Sequence, residues 1–267
     1  MSWLEKPVKA LLLDISGVLR DGDQAIVGSL EAFQRLQEIG IPFRLVTNET
    51  QVTVQKTVEK LSKLGFTSIS PSLIFAPAPA VATFLKETLS RAFLLVHPNV
   101  LPEFDGIETS DPNCVVVGDA AEHFNYSRLN EAFRVLLRLR EENKEMQLYS
   151  LGKGKYYKEE DGLCLDLGPF TAALEYATGA DARIFGKPNP VFFHAAVQDM
   201  KMSPDEVVMI GDDILGDVGG AQRAGLRGVL VRTGKFRISD ENHATVKPDG
   251  IVDNLLQAVN LIMSHYN

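Results

Sequence analysis

The sequence predicts an α/β fold, in which a doubly wound parallel sheet carries a second, smaller α/β domain inserted into it. Near both ends of the chain, short apolar segments that stop at polar residues alternate with amphipathic helical segments, a pattern typical of a parallel sheet covered by helices. The middle of the chain contains a separate set of apolar strands and a long helical segment. These observations favour one discontinuous domain interrupted by another.

The first predicted strand covers residues 8–13, a mostly apolar run that ends at Asp14. Because the run does not alternate apolar and polar side chains, it indicates a strand buried on both faces. Ser29 is placed to cap the first helix and Gly40 to end it, and a second apolar strand then ends at Thr47. The next helix has apolar residues at helical spacing, namely Val54, Val58, Leu61 and Leu64.

The same alternation resumes towards the end of the chain. It consists of a helix over 191–200, a strand over 207–210, a helix ending at Ala224 and a strand over 228–231. We expect these elements to extend the first sheet, because alternating strands and helices build parallel sheets. Residues 1–78 and 184–267 are therefore predicted to form a single Rossmann-like core.

The segment between these two blocks has its own strands and its own long helix. The predicted strands cover 93–97, 114–117 and 147–151, and the helix covers 127–141. Residues 79–183 are therefore predicted to form an inserted α/β domain. The proline-alanine run at 76–80 is predicted to be the hinge into it.

Composition and charge argue against several classes of function. The 267 residues are 45% hydrophobic and 23% charged, which suffices for a core with a second domain. The net charge of −8 opposes binding to nucleic acid or anionic lipid, and no apolar run approaches the length of a membrane span. Cys114 and Cys164 lie far apart, which argues against a disulfide framework or a zinc site. We expect a cytosolic protein with neither nucleic acid nor membrane as partner.

Polar residues cluster at four points that should meet at one edge of the predicted sheet. Ligands of open parallel sheets bind beyond the carboxyl ends of the strands. The four groups are Asp14-Ile15-Ser16-Gly17, Thr47-Asn48, Gly186-Lys187-Pro188, and Gly211-Asp212-Asp213 with Asp217 shortly after. Phosphoryl transfer needs an in-line nucleophile, a cation, hydrogen-bond donors and often a divalent metal. Each group can supply one of these parts.

Asp14 is the candidate nucleophile, because a carboxylate can form a mixed anhydride with phosphate. Lys187 can bind phosphate as a point charge and shield Asp14 from repelling it. Thr47 and Asn48 offer hydrogen-bond donors. Taken singly, each also has an ordinary structural interpretation as a turn residue or a surface lysine.

The acidic group at Asp212, Asp213 and Asp217 would repel a phosphate dianion unless it holds a metal. Mg²⁺ prefers carboxylate, carbonyl and water oxygens, so it is the expected cofactor. A solvated acidic turn is the alternative interpretation of these three residues. The ordered combination of all four groups favours the catalytic interpretation.

In this order the four groups resemble the motif set of the haloacid dehalogenase superfamily of phosphatases. The long gap between the second and third groups holds the insert where the para-nitrophenylphosphatase-like branch carries an α/β cap domain. More narrowly, four segments resemble the branch that acts on phospholysine, phosphohistidine and inorganic pyrophosphate; they are 13–19, 47–51, 152–158 and 209–236.

The resemblance implies a role for each group. Asp14 would be the nucleophile and a metal ligand, with the backbone carbonyl of Ser16 and the Asp212 carboxylate as further ligands of Mg²⁺. Asp213 and Asp217 rank second, as residues that orient the waters of the metal or shape the loop. The phosphoryl group would be bound by Asp14, Ile15, Ser16, Thr47, Asn48 and Lys187. The resemblance also implies a homodimer through the cap, and a nuclear as well as a cytosolic location.

Ser16 departs from the superfamily pattern, which has an aspartate at this position. That aspartate serves as the general acid for the leaving oxygen and later as the base for water. Serine predicts either a catalytically weak phosphate-binding protein or a preference for P–N and P–O–P bonds, whose leaving groups need little protonation by the enzyme. A phosphatase for pyridoxal phosphate or small sugar phosphates is a further alternative.

Overall fold

The structure, a computed structural model, describes residues 2–159 and 162–266. The chain divides into two compact units. The first contains Met1–Thr47, Thr57–Phe75 and Lys187–Asn267, and the second contains Asn48–Lys56 and Ala76–Gly186. The assignment of domains with boundaries after residue 78 and before residue 184, and of the insert as a cap, stays a prediction.

The strands and helices of the described chain follow each other in the order expected of alternating α/β structure. The strands are β1 (Ala10–Asp14), β2 (Arg20–Asp21), β3 (Gln24–Ala25), β4 (Phe43–Val46), β5 (Ile74–Phe75), β6 (Ala92–Leu95), β7 (Cys114–Val117), β8 (Leu148–Ser150), β9 (Tyr156–Glu159), β10 (Gly162–Leu165), β11 (Arg183–Ile184), β12 (Val207–Gly211), β13 (Arg227–Val231) and β14 (Gly250–Val252). The α-helices are α1 (Ser29–Ile39), α2 (Val54–Lys63), α3 (Pro77–Glu87), α4 (Tyr126–Glu141), α5 (Leu167–Thr178), α6 (Pro190–Asp199), α7 (Gly220–Arg223) and α8 (Leu255–Tyr266).

The first unit is built on a six-stranded parallel sheet with the order β14-β13-β12-β1-β4-β5. All five residues of the central strand β1 are buried, as the mostly apolar run before Asp14 predicted. Phe192 and Phe193 of α6 pack with Leu12 and Met209 of the sheet, and α1 contacts α8. The predicted fold class, a doubly wound Rossmann-like core with an additional α/β unit, is confirmed.

The second unit has a parallel sheet of its own, with the order β11-β8-β7-β6. The four residues of β7 are buried in clusters that include Val81 of α3 and Leu136 of α4. Strands β9 and β10 form a separate antiparallel hairpin. Among the described residues, no helix is long and apolar enough to cross a bilayer.

One local prediction was wrong. Ser29 is the first residue of α1, and the cap position belongs to Gly28, whose φ of 83° is left-handed. The Ser29 hydroxyl instead donates a hydrogen bond of 2.8 Å to the carbonyl of Leu19. The proline-alanine run begins α3 at Pro77, where a proline in the first turn lacks only an N–H that the helix does not use. The longer segment of the second unit also begins at this run, at Ala76, and the role of the run as a hinge stays a prediction.

Candidate active site

Three carboxylates converge at one edge of the first unit's sheet. Asp14 ends β1, and Asp212 directly follows the adjacent strand β12. Adjacent parallel strands end at the same edge, so the two carboxylates come together although they are far apart in sequence. Asp14, Asp212 and Asp217 each offer one oxygen, and these three oxygens lie within 4.8 Å of one another. All three side chains are buried.

Lys187 places a buried ammonium group among these carboxylates. Its Nζ donates hydrogen bonds of 2.7 Å to Asp14 Oδ1 and of 2.7 Å to Asp217 Oδ1. Burial alone would lower the pKa of Lys187, but the charges of Asp14 and Asp217 outweigh burial and raise it. The ammonium group therefore stays charged at neutral pH and holds the nucleophile candidate in place.

Asp212 and Asp217 have raised pKa values, because burial and repulsion from neighbouring carboxylates favour their neutral forms. Burial, followed by the charges of Asp14 and Asp217, raises the pKa of Asp212 to about 8. The pKa of Asp217 is also raised, by burial and by Asp14, although Lys187 opposes the shift. A bound divalent cation would favour the ionised forms of both carboxyl groups and so oppose both shifts.

The carboxylate of Asp212 is held by one hydrogen bond and leaves one oxygen without a partner. Its Oδ2 accepts a bond of 2.6 Å from the backbone N–H of Lys235. Its Oδ1 is buried and has no hydrogen-bond partner among the described residues. An unsatisfied buried carboxylate oxygen beside two other carboxylates is the arrangement that a hard cation such as Mg²⁺ satisfies. The residues present therefore fit the expected cofactor.

Glycines make the close approach of these carboxylates possible. A Cβ atom on Gly17 would lie 1.9 Å from Asp212 Oδ2, and one on Gly234 would lie 2.1 Å from the same oxygen. A Cβ on Gly211 would lie 2.2 Å from Asp217 Oδ2. Gly17 and Gly234 also have positive φ angles of 86° and 61°, which glycine adopts most readily.

The remaining predicted site residues differ in what they can contribute. Thr47 is buried directly after β4, in the same unit as Asp14. The side chain of Ser16 is exposed, whereas that of Ile15 is 1% exposed and lies in the core. Ile15 can therefore contact a substrate only through its backbone. Asn48 belongs to the second unit.

The side chain of Asp213 has a different role from those of the three clustered carboxylates. Its Oδ1 accepts hydrogen bonds from the backbone N–H groups of Leu215 and Gly216, at 3.0 and 2.8 Å. It thereby caps the short helical segment Ile214–Gly219. Asp217, ranked beside Asp213 from the sequence, is instead a member of the buried cluster.

Sequence reasoning gave no role to the loop that follows β13. Besides the backbone bond from Lys235 to Asp212, the hydroxyl of Thr233 donates to the carbonyl of Gly17. The loop thus connects the first and last acidic groups of the site. The signal for it was present in the sequence, because Thr233 and Gly234 follow the end of a parallel strand as the other groups do.

Two family models match the chain. The model described as haloacid dehalogenase-like hydrolase matches residues 11–109, and the model described as HAD-hydrolase-like matches residues 184–258. The two matches contain the residues that form the carboxylate cluster and Lys187.

Curated relatives match this chain over nearly its whole length. The chain is 53% identical to the phospholysine phosphohistidine inorganic pyrophosphate phosphatase of Bos taurus, over 99% of this chain and 98% of that protein. It is 52% identical to the protein of the same name from Homo sapiens, over 97% of this chain and 95% of that one. These matches confirm the similarity inferred from the motifs.

A solved structure shares the architecture. The 4-nitrophenylphosphatase of Thermotoga maritima superposes with a TM-score of 0.87 and 26% identity, covering 97% of this chain and 99% of that one. With relatives more than half identical over nearly their whole length, this chain belongs to the haloacid dehalogenase-like hydrolase family.

Proposed function

We propose that the protein is a Mg²⁺-dependent phosphohydrolase that cleaves P–N and P–O–P bonds through an aspartyl-phosphate intermediate on Asp14. The observation that carries the proposal is the buried Lys187 ammonium group, 2.7 Å from Asp14 Oδ1, within a cluster that fits a divalent cation. The names of the relatives support phospholysine, phosphohistidine and inorganic pyrophosphate as the substrates. Imidodiphosphate contains the same kind of P–N bond.

In the first step, an Asp14 carboxylate oxygen attacks phosphorus as the bond to the leaving nitrogen or oxygen breaks. The bonding electron pair leaves with that atom, and the new bond is the mixed anhydride of Asp14 and phosphate. Lys187 keeps Asp14 oriented and offsets the negative charge of the phosphoryl oxygens. Thr47 and the backbone N–H groups of Ile15 and Ser16 are the proposed hydrogen-bond donors, together with Asn48.

In the second step, water attacks the phosphorus of the aspartyl phosphate, which releases inorganic phosphate and restores Asp14. Ser16 cannot act as the carboxylate base that usually assists these proton transfers. A phosphoramidate nitrogen can take its proton from water before the P–N bond breaks, and phosphate is a weakly basic leaving group. The serine therefore favours these substrates over alkyl phosphates.

The residues proposed to hold Mg²⁺ are Asp14, Asp212 and the backbone carbonyl of Ser16. When bound, the cation neutralises charge on the transferred phosphoryl group. Asp217 holds Lys187 by a direct hydrogen bond, so we assign it to positioning. Asp213 is assigned to the conformation of the loop that carries Asp212.

Two alternatives use the same site. Hydrolysis of pyridoxal phosphate or small sugar phosphates needs no change in the cluster around Asp14. A catalytically weak phosphate-binding protein is favoured by one observation, namely that Ser16 replaces the usual acid and base.

Self-association and location are separate proposals. We infer a homodimer through the second unit, supported by an apolar face on the hairpin, where Tyr156, Leu163 and Leu165 are 51%, 67% and 61% exposed. Light scattering of the wild-type protein and of a Leu163→Glu, Leu165→Glu variant tests this directly. A cytosolic and nuclear location also remains a proposal, which fluorescence microscopy of the tagged protein tests.

The proposed function is tested with a substrate panel at neutral pH with Mg²⁺. The panel compares pyrophosphate, imidodiphosphate, phospholysine and phosphohistidine with pyridoxal phosphate and glycerol phosphate. We expect faster release of phosphate from the first four, no release by an Asp14→Asn variant, and a phosphate-sized mass increase on the Asp14 peptide after rapid acid quenching. Faster cleavage of the phosphomonoesters would contradict the proposed specificity, and turnover by Asp14→Asn would contradict the mechanism.

A further inference from the structure

The loop after β13 holds a lysine whose backbone is fixed and whose side chain is exposed. The backbone N–H of Lys235 donates to Asp212 Oδ2 at 2.6 Å. Its neighbour Gly234 approaches the same carboxylate so closely that a Cβ would lie 2.1 Å from Oδ2. The Lys235 side chain is nevertheless 64% exposed. The backbone of Lys235 therefore lies against Asp212, while its side chain is accessible to solvent.

The residues on either side of Lys235 keep the loop in this position. Thr233 donates its hydroxyl to the carbonyl of Gly17, and the N–H of Phe236 donates to the carbonyl of Thr233 at 3.2 Å. Phe236 packs against a buried cluster that includes Ile214 and Leu230. These three contacts, a side-chain hydrogen bond, a turn and a core contact, fix the position of the Lys235 backbone.

The only ion pair recorded for Lys235 in the described part of the chain is a weak one. Its Nζ lies 3.7 Å from Asp213 Oδ2, and the side chains are 64% and 37% exposed. Exposed pairs of this kind contribute little to stability. An incoming anion can therefore replace Asp213 as the partner of Lys235 with little loss of free energy. Lys187 differs, because it is buried between two carboxylates.

The two lysines suit different parts of a diphosphate. Lys187 contacts the nucleophile candidate and therefore serves the phosphoryl group that is transferred. A substrate with two phosphoryl groups brings additional negative charge to a site that already contains three carboxylates, those of Asp14, Asp212 and Asp217. A second cation on the solvent side would bind the phosphoryl group that leaves.

We propose that Lys235 is a specificity-determining residue that binds the leaving phosphoryl group of diphosphate substrates such as pyrophosphate and imidodiphosphate. The proposal rests on the proposed function, since it assigns the leaving-group side of the same site. A substrate with a single phosphoryl group and an uncharged leaving group makes no use of this contact. Lys235 thereby distinguishes diphosphates from such monoesters.

The test compares wild type, Lys235→Met, Lys235→Arg and the control Lys63→Met, which removes an exposed lysine at the end of α2. Each is assayed with Mg²⁺ on pyrophosphate and on 4-nitrophenyl phosphate. We expect Lys235→Met to lower kcat/KM for pyrophosphate by about 10- to 100-fold, mainly through KM, as expected for the loss of a charge-assisted hydrogen bond. The effect on 4-nitrophenyl phosphate should be at least tenfold smaller, and Lys235→Arg should recover most of the loss.

A binding measurement separates this inference from the proposed function. Calorimetric titration with methylenediphosphonate, which cannot be hydrolysed, should show weaker binding to Lys235→Met than to wild type, with no comparable change for inorganic phosphate. If wild type does not hydrolyse pyrophosphate, the proposed function fails and this titration alone decides the role of Lys235. Equal losses on both substrates would assign Lys235 to positioning Asp212 and overturn the inference, as would unchanged diphosphate binding and turnover.

Discussion

Lys187 and Asp217 form a buried ion pair at the edge of the first unit's sheet, with 2.7 Å between Nζ and Oδ1. Their side chains are 5% and 1% exposed. The same ammonium group also contacts Asp14 at 2.7 Å. Asp217 thus holds the ammonium group of Lys187, which orients the nucleophile candidate Asp14. Removal of Lys187 or Asp217 should therefore affect both stability and catalysis.

The first prediction is that Lys187→Met strongly destabilises the protein and removes its activity. The variant leaves two carboxylates buried without their cation, and breaking a buried pair from one side costs about 3–5 kcal/mol. For a chain of this size we expect a decrease in Tm of about 6–20 °C. Thermal unfolding followed by circular dichroism measures the change, and Lys63→Met provides the exposed control.

The pairing itself is tested by a double-mutant cycle. Asp217→Asn removes the negative partner, so the combination Lys187→Met with Asp217→Asn should cost less than the sum of the two single changes. Contacting residues of this kind couple by about 0.5–3 kcal/mol. Additive changes in the free energy of unfolding would show that Lys187 is held by Asp14 alone.

The second prediction concerns the crowding of Asp212 by Gly17. In Gly17→Ala the new methyl group would lie 1.9 Å from Asp212 Oδ2, so the carboxylate must move. We expect at least a tenfold loss of Mg²⁺ affinity, in line with the effect of displacing groups that orient metal ligands, together with lower activity. Calorimetric titration with Mg²⁺ measures the affinity.

Gly40→Ala is the matched control for this prediction. Gly40 also has a positive φ, of 69°, but a Cβ there meets nothing within 4 Å. It therefore reports the backbone strain alone, which should lower stability by about 1 kcal/mol without affecting Mg²⁺ binding. Unchanged Mg²⁺ affinity in Gly17→Ala would mean that the close approach to Asp212 has no part in metal binding.

Much of the fold of the first unit could be predicted from the sequence, because short segments of the chain indicate its strands. The apolar run before Asp14 indicated a strand buried on both faces, and β1 is the central strand of the sheet. The rule that ligands bind beyond the carboxyl ends of parallel strands is sufficient to predict that Asp14 and Asp212 lie together. The helix signals were less specific, as the cap position of Ser29 shows.

Some roles of site residues could not be predicted, because they depend on distances between segments that are far apart in the chain. Nothing in the local sequence separates Asp217, which bonds Lys187, from Asp213, which caps a helical segment. The local sequence also does not show that Lys235 contacts Asp212 through its backbone rather than its side chain. Hydrogen-bond geometry decides these roles, and it is set by the packing of the whole sheet.

The third prediction is that Mg²⁺ stabilises the protein more strongly as the pH rises. Without metal, the raised pKa of Asp212, about 8, means that the folded protein keeps a proton that the unfolded chain has already released above about pH 4. Stability of the metal-free protein should therefore fall between about pH 4 and pH 8. Mg²⁺ binds the ionised carboxylates, so its binding releases protons and counters this loss.

The measurement is the Tm with Mg²⁺ and with a chelator, at about pH 5.5 and about pH 8. At a Mg²⁺ concentration of about 100 times Kd, the added stability is about 2.7 kcal/mol, or about 5–10 °C in Tm, and the increase should be larger at the higher pH. Titrations in buffers with different ionisation enthalpies should show proton release. A Mg²⁺ effect that is equal at both pH values would contradict the raised pKa of Asp212.

The fourth prediction is that Ser16→Asp shifts specificity towards alkyl phosphates. The Ser16 side chain is exposed, so an aspartate fits without disturbing the core, and the backbone carbonyl proposed as a metal ligand remains. A positioned general acid contributes about 10²–10⁴ to a rate, and we expect at least a tenfold gain in kcat/KM for glycerol phosphate, with a smaller effect on imidodiphosphate. Ser16→Asn has nearly the same shape but cannot transfer a proton, so it should show no such gain. If both variants changed glycerol phosphate hydrolysis equally, the shape of residue 16 rather than its acidity would govern specificity.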